Sequence, residues 1–357
     1  LTMLVFAASL YQSKAKLFCK DDDGNDVDWF IVYKLPKLNK QKHSIFSDGL
    51  RYEYISGPKI DGESMSKQWK LSEKLISKKD SILGKTLKPL YVNGSLFTTL
   101  YYSDQPPDST VAKSTRAHAK GVLAMDKHSG YILTHSIPRF PNILDANHYE
   151  FPSSGAINGQ SALCVSFMPQ KYSNIILTHL KTIEANIYYY ENNGVLKHDS
   201  IFNELVENEP SDEYFAYNAF RSYKGQTFYI FSKSAKAGGD LYSEYIAPNL
   251  KSSLLVLTWR RGTGGRLASH CESRNKVLNI DVLQTRFHSL YQHNEQWSYS
   301  HDHAKWAVSP NKESAFVCIA DNNRMQSQFK RGGGSFCIRD KKVWVQFRKM
   351  VVDTESC

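Results

Sequence analysis

The chain has 357 residues, of which 41% are hydrophobic and 22% charged, a balance that suits one or two globular domains and excludes disorder as a description of the whole. Its formal charge is +10 with the twelve histidines neutral and +22 with all of them protonated. Such a surface favours a polyanion, nucleic acid above all, with a merely soluble basic protein as the plainer alternative.

Residues 1–15 open on a short apolar run, Leu1 to Leu10, followed by polar residues with Ser13 and Ala15 in the small-residue positions of a cleavage site. Such a run falls short of the roughly 20 residues a membrane span needs. Residues 1–15 are therefore predicted to be a residual signal peptide, with no membrane association once it is removed. The acidic run Asp21 to Asp26 resembles a calcium loop, but Gly24 stands at the fourth position and Val32 replaces the closing Glu, so it is read as a plain acidic loop.

Val27 to Lys34 is an apolar run bounded by Pro36 and predicts a buried strand. Residues 36–86 predict surface loops with one or two helices. A strand pair is predicted over 89–102, turning at Asn93-Gly94; Asn93-Gly94-Ser95 is also the one N-glycosylation sequon, making Asn93 a candidate glycan site. Asp104 to Asp108 is a loop, and 170–225 shows no clear period. Leu254 to Trp259 predicts a strand. The following Gly262-Thr263-Gly264-Gly265 lacks the Gly-Lys-Ser/Thr ending of a phosphate loop and is read as a turn. Strands and helices interleave, which predicts an α/β fold.

Six cysteines stand at 19, 164, 271, 318, 337 and 357 with no C-x-x-C pair. An even, widely spaced set suits three disulfides in an oxidising compartment; spacing leaves all 15 pairings open.

Two segments share a pattern. His118-Ala119-Lys120 opens a predicted strand, a turn follows at 126–130, and a second strand returns to His135 and Ser136. His303-Ala304-Lys305 opens another such unit, which returns to Asp321, Asn322 and Asn323. The two histidines lie 185 residues apart, as expected of an internal duplication with one unit per half. On a strand, residues i and i+2 share a face, so each His and Lys should enter one pocket while Ala119 or Ala304 faces away. Hairpin pairing should bring His135 beside Lys120, and Asn323 beside His303 and Lys305.

Two such pockets, face to face, suit phosphodiester cleavage. Two lysines can hold the phosphate charge without a metal. One neutral imidazole can attack phosphorus, and the other, protonated, can supply the leaving oxygen; such a pair belongs to mildly acidic pH. His118, Lys120, His303 and Lys305 are thus the candidate catalytic residues, with His135 and Asn323 supporting. A chain this rich in His and Lys carries about one His-x-Lys by chance; the repeated strand–turn–strand frame is what gives the triplets weight. His301-Asp302-His303 is a further metal candidate but lacks a third ligand nearby, and neither G-x-S-x-G nor H-E-x-x-H occurs. Arg260-Arg261 and Lys330-Arg331 could track phosphates or be solvated loops.

At these residues the chain resembles the deoxyribonuclease II family. The resemblance runs through Val27-Asp28-Trp29-Phe30, Asp104-Gln105-Pro106-Pro107, His118-Ala119-Lys120-Gly121-Val122, His135-Ser136-Ile137-Pro138, Asp302-His303-Ala304-Lys305-Trp306 and Asn323-Arg324. It departs at Ala119 and Ala304, where the family usually has Ser or Thr, and at Ala320 in place of a Gly. The resemblance implies a phospholipase-D-like fold of two pseudo-symmetric α/β halves, 16–175 and 176–357. It also implies acid cleavage of double-stranded DNA with no cofactor and no metal, leaving 3′-phosphate and 5′-hydroxyl ends. With it come a secreted or lysosomal location and the disulfides Cys19–Cys164, Cys271–Cys357 and Cys318–Cys337, with His118 as nucleophile and His303 as general acid or the two in the reverse order. A homodimer is left open. A secreted DNA-binding or host-interaction protein on the same fold is the alternative function, and a lipid hydrolase of related chemistry is a third.

Overall fold

Strict alternation of buried side chains builds two sheets. The computed structural model describes residues 16–38, 44–62, 67–142, 148–285 and 295–357; the predicted signal peptide lies outside the described residues. After a short ladder of β1 (Cys19–Lys20) and β2 (Asp26–Val27), the first sheet is antiparallel. It takes β3 (Trp29–Lys34), β4 (Tyr52–Ser56), β5 (Lys70–Leu71), β6 (Thr98–Ser103), β7 (Lys120–Met125), β8 (Gly130–His135), β9 (Gln160–Phe167) and β10 (Ile187–Glu191). Their spatial order is β10-β6-β7-β8-β9-β3-β4-β5.

The second sheet takes β11 (Phe215–Arg221), β12 (Thr227–Lys233), β13 (Leu254–Leu257), β14 (Val277–Thr285), β15 (Glu295–Ser298), β16 (Trp306–Val308), β17 (Phe316–Ala320) and β18 (Gly333–Arg339). Their order is β11-β12-β18-β17-β16-β13-β14-β15, and β19 (Val351–Thr354) pairs with β14. Among the described strand pairs of this sheet, β13 and β14 alone run parallel. The chain passes from one sheet to the other between Glu191 and Phe215, on the C-terminal side of the 175/176 division expected from the sequence.

One face of each sheet shares a single core. Trp29, Ile31 and Tyr33 of β3 and Val317 and Ile319 of β17 belong to it, while Phe30 and Val32, or Phe316 and Cys318, point outward. Helices α2 (Pro169–Thr182), α3 (Ser200–Val206) and α5 (Lys341–Met350) contribute to this core through residues such as Leu177, Phe202 and Phe347. Helix α1 (Ile82–Asn93) covers the outer face of the first sheet, and a π-helical turn at Leu241–Ile246 with α4 (Ala247–Leu250) covers that of the second. The result is the α/β architecture of two sheets with helices between and outside them.

Two local expectations are corrected. Helix α1 opens at Ile82, within the 36–86 stretch where helices were expected, but runs on through 89–93, where the sequence suggested the start of a strand pair. Ser81 caps it, its Oγ accepting from Gly84 N at 3.1 Å, and Ile82, Leu83, Leu87 and Leu90 bury one helical face. Asn93-Gly94 ends a helix rather than turning a hairpin, so only β6 survives from the predicted pair. In 36–86 the buried strand β4 pairs along β3, a position where loops and helices were expected; its run Tyr-Glu-Tyr-Ile-Ser hides a buried Glu53 behind a polar letter. Asn93 itself is exposed. The three disulfides pair as the resemblance implied: Cys19–Cys164, Cys271–Cys357 and Cys318–Cys337.

Candidate active site

Each His-Ala-Lys triplet is held by the opposite half of the molecule. Strands β7 and β16 begin at Lys120 and Trp306, so both histidines sit in the lead-in to a strand rather than within it as expected. The reason is their backbone partners: His118 N–H donates to Gly332 O at 2.9 Å, and His303 N–H donates to Gly159 O at 2.8 Å. Ala119 and Ala304 point into the shared core. The side chains of His118, Lys120, His303 and Lys305 turn the other way and line one pocket of about 210 Å³. Alternation about the small alanine therefore does what the spacing predicted.

The hairpins repeat closely. Gly121 pairs with Thr134 in the first unit and Trp306 with Ile319 in the second. Ser136 N–H donates to Ser161 O at 2.9 Å, and Asp321 N–H donates to Gly334 O at 3.0 Å. Even the side chains correspond, for Ser136 Oγ accepts from Ser161 N at 3.0 Å as Asp321 Oδ2 accepts from Gly334 N at 2.8 Å.

The pocket is dense in charge. Asp104 accepts from Lys120 Nζ and, at 2.8 Å, from Arg331 Nη2, and its Oδ2 lies 3.9 Å from His118 Nε2. Burial works against its charge, yet Lys120, His118 and Arg331 outweigh that and hold the carboxyl well below its ordinary range. His118 is driven well below the ordinary imidazole value by burial and then by Lys120 and Lys305, with Asp104 pulling the other way. Burial followed by Lys305 and Lys120 brings His303 down to about 3. Lys305, whose Nζ donates to His303 O at 2.9 Å, is brought down to about 7 by burial and Lys120. Burial raises Asp321 to about 7. The Trp259 indole meets the His303 ring edge-on, centroids 4.3 Å apart.

A family profile described as Deoxyribonuclease II matches residues 18–357. The chain belongs to the deoxyribonuclease II family. Among its relatives, deoxyribonuclease-2-alpha of Rattus norvegicus is 34% identical over 99% of this chain and 98% of its own length. Deoxyribonuclease-2-beta of Homo sapiens is 32% identical over 96% of this chain and 92% of its own. Plancitoxin-1 of Acanthaster planci is 30% identical over 100% and 97%. This deoxyribonuclease II family member is accordingly a hydrolase of the DNA endonuclease class, on the phospholipase-D-like fold that its two paired sheets display.

The supporting residues divide. Asn323 lines the pocket, its Oδ1 accepting from Trp259 N at 3.2 Å. His135 lies within β8 beside Lys120 and does not line the pocket among the described residues. Its Nδ1 accepts from Ile137 N at 3.2 Å, its ring packs on Phe140, and burial with Lys120 lowers it to about 3. Among the charged and aromatic pocket residues, Asp104 and Trp259 were given no role from the sequence, and Arg331 only that of a cluster able to track phosphates. Arg331 stood in a basic cluster and Asp104 in a loop, and only tertiary register joins them.

Other candidates resolve structurally. His301 is exposed while Asp302 is buried and turned inward, so the His-Asp-His run diverges. Among the described residues no three His, Cys, Asp or Glu side chains gather as a metal site, and no helix is long and apolar enough to cross a membrane. Asp21 accepts from the backbone N–H of Asp23 and Asn25, the closed acidic loop expected. The glycine loop is pinned by Gln326 N–H donating to Gly265 O at 2.7 Å.

Proposed function

We propose that this protein cuts double-stranded DNA at acid pH through a phosphohistidine, without a divalent cation, leaving 3′-phosphate and 5′-hydroxyl ends. The observation that supports this most is the convergence of two His-x-Lys pairs, one from each half, on a single pocket. Lys120 and Lys305 hold the phosphodiester charge. Neutral His118 attacks phosphorus, and the P–O5′ bond breaks as His303, protonated, donates to the departing oxygen. Charge balances: a diester anion and an imidazolium give a 5′-hydroxyl and a phosphoryl-imidazolium zwitterion. Water then attacks phosphorus, neutral His303 takes its proton, and the P–N bond breaks to free the 3′-phosphate.

Acid pH has a local cause in the pocket. Below about 7 Lys305 gains its proton, and below about 7 Asp321 loses its charge. Both changes make the pocket more positive, and so more receptive to phosphate, as pH falls. The bound diester in turn favours a proton on His303. The three disulfides and the exposed Asn93 sequon support a secreted or lysosomal setting with a glycan at Asn93.

The test is nicking of supercoiled plasmid at about pH 5 in EDTA, beside His118→Ala and His303→Ala. Loss of nicking in both variants, with folding intact, is expected. Nicking that requires Mg²⁺, or that survives either substitution undiminished, overturns the mechanism. Salt-sensitive retention on DNA without nicking by the unmodified protein would leave a binding protein instead.

A further inference from the structure

The internal two-fold is broken at one position beside the histidines. In the first sheet Ser103 pairs with Lys120 on β7, and Asp104 follows. In the second, Leu257 pairs with Trp306 on β16, which sets Thr258 opposite Lys305 and Trp259 next. Asp104 and Trp259 are therefore counterparts, each at the end of the neighbouring strand and each against a histidine. One histidine faces a carboxylate and the other an indole edge.

Resting on the phosphohistidine mechanism above, we propose that Asp104 is the positioning residue that makes His118 the nucleophile, and that Trp259, by offering no counter-charge, leaves His303 the role of general acid. The nucleophile's ring becomes cationic when the P–N bond forms and stays so throughout the life of the intermediate. A fixed carboxylate beside the ring stabilises that charge and orients it. Among the described residues, His118 has such a carboxylate and His303 does not. Its Nε2 faces Asp104 Oδ2 at 3.9 Å, and its Nδ1 is buried without a partner. Asp104 is itself fixed, by Lys120 on one oxygen and Arg331 on the other.

The general acid has the opposite need. It must surrender its proton as the P–O5′ bond breaks, and a carboxylate partner would hold that proton back. His303 packs against an indole, and burial followed by Lys305, Lys120 and Lys34 keeps it neutral until a phosphate anion arrives. Its Nε2 is buried with no protein partner.

The deciding substrate carries sulfur in place of the bridging 5′ oxygen at one linkage, because a thiolate departs without a proton. In a single turnover His303→Ala should cleave this linkage at close to the unmodified enzyme's rate, and then stall at the intermediate, while losing on the order of 10²–10⁴-fold on the ordinary one. His118→Ala and Asp104→Asn should stay slow on both, and Asp104→Glu should recover part of the loss. Alkali-quenched, nuclease-trimmed digests of His303→Ala on the thio substrate, read by mass spectrometry, should carry a 3′-nucleotidyl phosphoryl group on the His118 peptide. Rescue of His118→Ala or of Asp104→Asn instead of His303→Ala overturns the assignment while leaving the phosphohistidine mechanism standing. Thio-linkage cleavage undiminished in both histidine variants, with no phosphoryl group on either peptide, overturns the mechanism itself. Matching thermal unfolding of Asp104→Glu and the unmodified protein separates positioning from a folding defect.

Discussion

Asp302 ties the segment of the second candidate histidine, His303, to the first half of the chain, and its removal should show a reversal of sign. The buried carboxylate accepts three hydrogen bonds: from Trp297 Nε1 at 2.7 Å, from Ala304 N at 2.9 Å and from the Tyr33 hydroxyl across the shared core. Burial raises its carboxyl to about 6, against the hydrogen bonds from Tyr33 and Trp297, so at pH 7.5 it is ionised. Asp302→Ala strands three buried donors. At about 1–3 kcal/mol for each, partly relieved by losing a buried charge, the cost is on the order of 3–6 kcal/mol. That is a large share of the ~5–15 kcal/mol typical of a whole protein.

Tyr33→Phe supplies the internal control. In the unmodified protein it removes a charge-assisted bond and should cost roughly 1.5–3 kcal/mol. In the Asp302→Ala background it removes an orphaned hydroxyl and should be neutral or stabilising. Urea unfolding of the four proteins at pH 7.5 measures the coupling, expected at about 2 kcal/mol. Equal costs of Tyr33→Phe in both backgrounds would refute the inference that these groups hold one another. Under conditions where Asp302→Ala stays folded, plasmid nicking should fall on the order of 10²-fold, because the Ala304 amide that fixes the His303 segment is released.

Other consequences can be measured alongside. Asp321→Asn keeps an acceptor for Gly334 N but cannot ionise, so its activity should extend further towards neutral pH; an unchanged alkaline limb would count against the role given to Asp321. His179, buried with Nδ1 2.7 Å from Ser232 Oγ, is lowered to about 3 by burial. Its folded value lies below the unfolded ~6.5, so the stability it contributes is complete above that pH and is lost as pH falls towards 3. Between pH 7.5 and 4.5 this amounts to about 2–3 kcal/mol, and His179→Gln should flatten the pH dependence of chemical unfolding by that much; an unaltered slope would refute it. Gly159→Ala sets a Cβ 2.5 Å from the Asp302 carboxylate, so it should displace the His303 segment and abolish nicking, and wild-type activity in that variant would exclude the contact.

What the sequence made legible was local. The Trp29–Lys34 strand and the two hairpins showed themselves through alternation and turn residues, and the alanine between His and Lys announced which side would be buried. The last turn of helix α1 was misread because Asn93-Gly94 signals a reversal without saying what precedes it. Strand β4 was missed because Glu53, a polar letter, is buried against Thr285 of the other sheet. Asp104 and Trp259 escaped, and Arg331 was left undecided between phosphate and solvent, for a different reason. Asp104 meets Arg331 across 227 residues, and no periodicity within either segment encodes that encounter.

The crossed backbone bonds, His118 to Gly332 and His303 to Gly159, also set a timetable. A ribosome finishes the first His-Ala-Lys triplet long before it reaches Arg331 and Gly332. Until those residues emerge, His118 has no backbone anchor and Asp104 no guanidinium partner. A chain cut short before Arg331 would keep both His-Ala-Lys triplets and still lack the anchor of the first.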